Sequence, residues 1–373
     1  MSQMTTLSRL AAAIIVTVAV LPFGLINGPE RAEAAHPPAI RLIVKASPDS
    51  DYESSIPLAI PSLLEGASAS AEAALPAVDT FLTMNKGAEK TEYRLDADGH
   101  LHSKDGEKLT LKPATRQKLL AAAKKLRASH YGELLPWKEA RSAVPRKAVV
   151  TVIDLETGLR FKAQRRAGSS HADVQPLTKA DTEIMKTIYN GEWSWHRRAI
   201  VVEANGRKIA SSMHGMPHGG DGIPDNGFSG HFCIHFEGST THRSGQVDLG
   251  HQLMVAKASG TLDAFFRRLG PYETIDAFFL ANEYGDHGLM AKLFPDAEHP
   301  EAAKTHFGAE EGKIRHHYID AETSADEGLA LDVALETCIA RASGCSGRAK
   351  SVFHLRRMSP IEPWRIDGIF PFS

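Results

Sequence analysis

Three times before residue 215 the chain alternates apolar and polar residues around a tight-turn pair. TEYRLDADGHLHS turns at Asp98-Gly99, AVVTVIDLETGLRFKAQRRAG at Glu156-Thr157-Gly158, and EWSWHRRAIVVEANGRKIASSM at Asn205-Gly206. A period of two broken by residues that tolerate positive φ specifies antiparallel hairpins. Three of them commit much of the chain to β-sheet. Helical spacing appears between them. Leu119, Leu120 and Leu126 line one side of a lysine-rich run ending at Gly132, and Thr178 with Asp181 opens a second helix as a capping box closed by Asn190-Gly191. The expectation is an α+β chain with a mostly β central domain. Trp193 and Trp195, two apart, are read as sheet packing.

The third hairpin runs into residues 213–251, MHGMPHGGDGIPDNGFSGHFCIHFEGSTTHRSGQVDLGH, which hold six of the 18 histidines and one of the three cysteines. Glycines and short polar residues make much of this stretch loop, anchored by the apolar run around Cys233. A thiol bracketed by imidazoles serves either as an activated nucleophile or as part of a metal ligand set. His242 reads as a rim histidine and His251 as a packing group. Asp248 reads equally as a helix cap or as a carboxylate orienting an imidazole.

Composition narrows the setting. A formal net charge of −2 gives no basis for nucleic-acid binding, and 24% charged with 42% hydrophobic residues is ordinary for a globular protein. Residues 10–26 are apolar, and Ala32-Glu33-Ala34 follows as a small-residue cleavage pattern. Residues 1–34 are therefore expected to be a signal peptide, with no integral membrane segment after its cleavage and a secreted or cell-wall-associated product. The rival reading is a retained anchor. Export makes a disulfide between Cys338 and Cys345 plausible chemistry and leaves Cys233 without a partner.

Four segments are expected. After residues 1–34 comes an N-terminal region of spacer, hairpin and helix over 35–145, whose Ala-, Ser- and Pro-rich part before residue 90 reads as a spacer or helical arm. Residues 146–268 form the His/Cys domain, and 271–373 a separate α+β domain with a curved sheet. In the last, the adjacent His316 and His317 would point to opposite faces of a strand.

The His-Gly pairs at 214–215 and 218–219, followed after a spacer by Gly230-His231-Phe232-Cys233-Ile234-His235, resemble the L,D-transpeptidase family of exported cysteine enzymes that crosslink peptidoglycan. That family carries a His-Gly pair, about fifteen residues of spacer, then Ser/Thr-His-Gly-Cys, an apolar residue and Arg or Asn. Here Gly230 stands at the Ser/Thr position, Phe232 at the glycine and His235 at the Arg or Asn. The resemblance implies Cys233 as nucleophile and His218 as base, with His231 and His235 tuning the thiolate and peptidoglycan stem peptides as partner. It places substrate against His214, Gly219 and Gly230 and needs no cofactor, while Arg166, in the basic pair that ends a strand, is read from the sequence as a group for a substrate carboxylate. Residues 271–373 resemble the nuclear transport factor 2-like fold through DAFFLANEYGD and PWRIDGIF, which implies an accessory role.

Two alternatives stay open. His231, Cys233 and His235 would share one face of an extended strand, and with His171 and Asp173 would offer zinc a ligand set for a cell-wall peptidase or amidase. A non-catalytic peptidoglycan-binding module is the other.

Overall fold

In the computed structural model the chain is described over residues 39–371, except 61, 73, 87–88, 221, 243, 297–313, 320–327 and 342–343. The expected signal peptide lies outside the described residues.

Seven strands come first: β1 (Ala39–Lys45), β2 (Glu53–Pro57), β3 (Ser68–Ala71), β4 (Thr80–Lys86), β5 (Glu89–Leu95), β6 (Leu101–Ser103) and β7 (Glu107–Thr110). They pair antiparallel in the order β2-β1-β4-β5-β6-β7-β3. The spacer or helical arm expected before residue 90 is therefore corrected to sheet. Ile40, Leu42 and Val44 alternate into a core with Leu82, whereas all four residues of β3 are exposed. A strand held only by its ladder to β7 leaves no apolar signature in sequence. The β5–β6 hairpin forms with Leu95 opposite Leu101, bracketing the expected turn.

Helix α1 (Pro113–His130) buries Leu119, Ala123 and Leu126 against this sheet. Its partner surface continues at Gly132, where an added Cβ would lie 2.4 Å from the Ala210 backbone nitrogen. This glycine is needed for close approach more than for stopping the helix. A short α2 (Trp137–Ala143) follows.

Strands β8 (Val149–Asp154), β9 (Arg160–Ala167), β10 (Ala172–Pro176), β11 (Arg198–Ala204), β12 (Arg207–Met213) and β13 (Phe232–His235) close into a barrel in the order β10-β13-β12-β11-β8-β9. Both expected hairpins, β8–β9 and β11–β12, are present. Alternate residues fill the interior, among them Val152, Phe161, Val174, Ile200, Phe232 and Ile234. Helix α3 (Lys179–Ile188) carries the full capping box at Thr178 and Asp181 and adds Met185 and Ile188 to that interior. The opposite faces of β8, β11 and β12, through Ile153, Ala199, Val201 and Ala210, belong to a second apolar cluster built on α4 (Leu249–Ala258).

Helices α5 (Leu262–Phe266), α6 (Pro271–Tyr284) and α7 (His287–Ala291) follow. An antiparallel sheet completes the chain: β14 (Ile314–Tyr318), β15 (Ala330–Arg341), β16 (Gly344–Arg356) and β17 (Arg365–Pro371). Phe278 and Phe279 of α6 pack on Phe353 of β16. His316 stacks on Phe279 and pairs with Asp276, while His317 faces outward, as the strand alternation requires. Cys338 and Cys345 are disulfide-bonded. Residues 38–373 form one compact unit, and its apolar cluster runs from β1 through α4 to β16. Among the described residues no helix is long and apolar enough to cross a membrane.

Candidate functional site

Cys233 lies on the outer face of the barrel, because its neighbours Phe232 and Ile234 point inward. The Phe232 ring packs on Phe161 and Phe228 inside, so it sits away from the face that carries the sulfur. Register then assembles the site. Asp173 on β10 is directly opposite Cys233, and Ser212 on β12 is opposite His235. Paired residues share a face, so the carboxylate and the thiol are lateral neighbours.

His218 reaches the sulfur from the loop between β12 and β13. Its backbone exchanges two hydrogen bonds with His231, 3.0 Å and 2.7 Å long. Both flanking glycines make this possible. A Cβ on Gly219 would fall 2.3 Å from the His231 ring, and one on Gly230 would fall 2.4 Å from the His218 carbonyl, each at positive φ. The side chain of Gln175 donates to the Gly230 carbonyl and fixes that end of the loop. Among the residues expected to meet substrate, Gly219 and Gly230 thus position His218. Arg166 is at the exposed rim, donating 2.8 Å to the Gly222 carbonyl. His214 is buried, 5.2 Å from the His218 ring.

His218 Nε2 stands 3.4 Å from Cys233 Sγ, and His218 Nδ1 is 3.1 Å from the Met216 carbonyl. A carbonyl only accepts, so Nδ1 carries the proton and Nε2 presents a lone pair to the thiol. Cys233 as a residue is 4% exposed. Burial, reinforced by the Asp173 carboxylate, pushes the thiol above its ordinary value of 9.0, while Arg197 works the other way. Where the resemblance implies a thiolate tuned by His231 and His235, burial favours a neutral thiol hydrogen-bonded to the His218 imidazole.

The remaining rings form a stack. His235 lies 4.3 Å from His171 and 3.7 Å from His251, nearly parallel to both. Burial, with His171 adding to it, pushes His235 down to about 2, and burial likewise holds His214 and His251 well below 6.5. Neutral rings lend no positive charge to a thiolate, so His235 acts by packing. His231 is also lowered by burial, against the pull of Asp173.

His251 meets Ser212 Oγ at 2.9 Å, and Asp248 caps α4 by accepting from the His251 backbone N–H. Asp248 also pairs with Arg197 at 3.0 Å.

Two groups of donors gather around the sulfur. His171, Asp173, Cys233 and His242 have ligand atoms within 4.8 Å of one another, and so do His214, His218 and Cys233. Of the zinc set expected from sequence, His171, Asp173 and Cys233 come together. His231 and His235 are not in the group, because one flanks His218 and the other is held in the ring stack. His242 takes the place, its Nε2 2.9 Å from Asp173 Oδ1. Burial opposes the Asp173 charge, yet His171 and His242 hold its carboxyl down at about 2.

Sequence reasoning placed His242 at the rim and did not single out Arg197 or Gln175. It also read Trp195 as sheet packing. Trp195 is outside any strand, 47% exposed, with its ring 4.7 Å from His214 and 5.3 Å from His218. Trp193 alone packs inward, on Phe228.

Comparison with protein-family models finds no match to this chain, and comparison with curated proteins finds none either.

Proposed function

We propose that this protein is an exported, wall-associated cysteine acyltransferase acting on peptide carbonyls of peptidoglycan stem peptides, as the resemblance to L,D-transpeptidases implies. One observation carries the reading: Cys233 Sγ sits 3.4 Å from a His218 nitrogen whose tautomer is fixed by the Met216 carbonyl. A neutral thiol and a basic nitrogen in that relation need no thiolate at rest. As sulfur attacks the carbonyl carbon, its proton passes to His218 Nε2, and the imidazolium then returns that proton to the departing amine. An acceptor amine or water attacks the thioester in turn, giving up a proton to His218 and restoring the thiol. Transpeptidation and hydrolysis differ only in that acceptor. Trp195 lies over His214 and His218 as an exposed aromatic surface for substrate.

A zinc peptidase or amidase is the second reading, supported by the two donor groups around Cys233. It is weaker because a catalytic zinc keeps a coordination position open for water. The group with Asp173 already offers four donors, and the other would consume the proposed base.

Intact-mass measurement after incubation with muropeptides or a carbapenem tests the first reading. The expected result is a single adduct on Cys233, lost in Cys233→Ser and at least about a hundredfold slower in His218→Ala, as removal of a general base requires. An unmodified wild-type chain, or equal labelling of His218→Ala, overturns it.

A further inference from the structure

His171 is 1% exposed and its Nδ1 lies 2.7 Å from the Thr240 carbonyl. That bond puts the proton on Nδ1, so in the neutral ring Nε2 carries a lone pair. Nε2 is buried without a hydrogen-bond partner and lies 3.3 Å from Asp173 Oδ1. A buried ring nitrogen without a hydrogen-bond partner thus lies between the Asp173 carboxylate and the Cys233 sulfur. A histidine whose second nitrogen is tied to a backbone carbonyl is also the usual arrangement of a metal-bound imidazole.

We propose that His171 Nε2, an Asp173 carboxylate oxygen, Cys233 Sγ and His242 Nε2 form a zinc site that, when filled, withdraws the sulfur from His218 and switches the acyl-transfer site off. The donor set selects the ion. Thiolate with imidazole favours zinc over magnesium or calcium, which prefer all-oxygen shells. Zinc balances its two charges against one thiolate and one carboxylate, so the buried site is neutral overall.

Zinc–nitrogen and zinc–sulfur bonds of about 2.0–2.3 Å place tetrahedral donors about 3.3–3.7 Å apart. Atoms already within 4.8 Å need only a small contraction. His242 is the ligand able to supply it: its side chain is 47% exposed and it stands in the loop following β13. On binding, the thiol proton leaves to solvent, the His242 ring proton is exchanged through solvent from Nε2 to Nδ1, and the His242 bond to Asp173 gives way to one to the ion. Cys233 cannot serve zinc and His218 at once. Occupancy and acylation are therefore mutually exclusive.

The effect on activity rests on the acyltransferase reading, whereas metal binding does not. The test accordingly uses cobalt as a spectroscopic probe on the full chain, reduced and stripped with a chelator. One Co2+ per chain is expected, with a thiolate-to-cobalt charge-transfer band and the intense visible bands of a tetrahedral centre, both bleached by Zn2+. Cys233→Ser should lose the charge-transfer band. His171→Ala and Asp173→Asn should weaken binding at least about tenfold, the loss that removal of even an outer-shell partner brings. His242→Gln, at a half-exposed loop position, gives a weakened site in a chain whose fold is not at stake. His218→Ala should bind cobalt unchanged.

Absence of the band in the wild-type chain overturns the proposal. So does a band that survives His171→Ala and disappears in His218→Ala, which would assign the sulfur to the His214 and His218 group. Zinc should suppress the Cys233 adduct and a chelator should restore it; a chain that acylates equally fast when zinc-loaded removes the switch. A chain that binds cobalt but never acylates refutes only the acyltransferase reading, and one that acylates but binds no cobalt refutes only the zinc site.

Discussion

Helix α4 carries a buried polar side chain near each end, and the two are handled differently. Near its C-terminal end Lys257, 2% exposed, faces Glu156 of the β8–β9 turn and Asp286, the cap of α7, whose carboxylate is 2.6 Å away. Ser47 adds a 2.8 Å hydrogen bond to Glu156. Burial alone would lower the Lys257 pKa, but Asp286 and Glu156 outweigh it and raise it. Near the N-terminal end His251 joins a stack of imidazoles held neutral by burial, and His171 Nε2, His231 Nε2 and His235 Nδ1 lie buried there without hydrogen-bond partners. At one end each charge meets its opposite, and three segments are tied to the helix. At the other, unmet donors and acceptors crowd around a thiol. Folded chains rarely tolerate such atoms unless they handle a ligand or a reaction.

The largest expected effect tests the first half of that contrast. Lys257→Met leaves two half-buried carboxylates with no cation between them, a loss that approaches the ~3–5 kcal/mol of breaking a fully buried pair. Urea unfolding measures it. Recovery of most of the loss in Lys257→Met combined with Glu156→Gln and Asp286→Asn would show that the unpaired charges cause the damage. A loss below about 1 kcal/mol would mean that this end is as loosely specified as the other.

Acid separates the two ends next. His235 has a folded pKa of about 2 against an ordinary 6.5, so below pH 6.5 the unfolded chain takes up a proton that the folded chain refuses. Stability is therefore lost as pH falls from 6.5, by about 1.4 kcal/mol per pH unit for each ring so held. Lys257 has the opposite sign and a distant window: its contribution is complete below 10.5 and is lost only as pH rises above that. Asp173, lowered from 3.8 to about 2, contributes above 3.8 and is lost below it. Unfolding between pH 6.5 and 4.5 thus reports the imidazoles. His235→Phe, which keeps the stack, should reduce the total loss over those two units by about 2.3 kcal/mol. An unchanged slope would show that the ring already titrates in the folded state.

What the sequence revealed divides along a physical line. The hairpins at Asp98-Gly99, Glu156-Thr157-Gly158 and Asn205-Gly206 and the Thr178 capping box are local, written in turn chemistry and in a period of two, and all four form. Cys233 stood out because an odd thiol among imidazoles is a compositional oddity. The placement of Asp173 against it is register across β10 and β13, strands 55 residues apart in sequence, and no local pattern encodes that. His242 was legible as a loop residue, but not as a neighbour of Asp173. Strand β3 of the N-terminal sheet escaped for another reason: it buries nothing, so its Ser and Ala residues read as linker.

Trp195 gives the smallest expected change in stability. With 47% of its surface exposed and no strand around it, Trp195→Ala should move unfolding by no more than about 0.5 kcal/mol. Its ring nonetheless covers His214 and His218, at the side where unmet groups collect. If that end of the molecule is built for substrate, the loss should appear in acylation of Cys233 as a higher half-saturating concentration of muropeptide, with the maximal rate little changed, because an aromatic platform contributes binding and His218 keeps the chemistry. A destabilised variant with normal acylation would reverse the assignment. Trp195 would then be a packing residue like Trp193, and the exposed aromatic surface would lose its part in substrate binding.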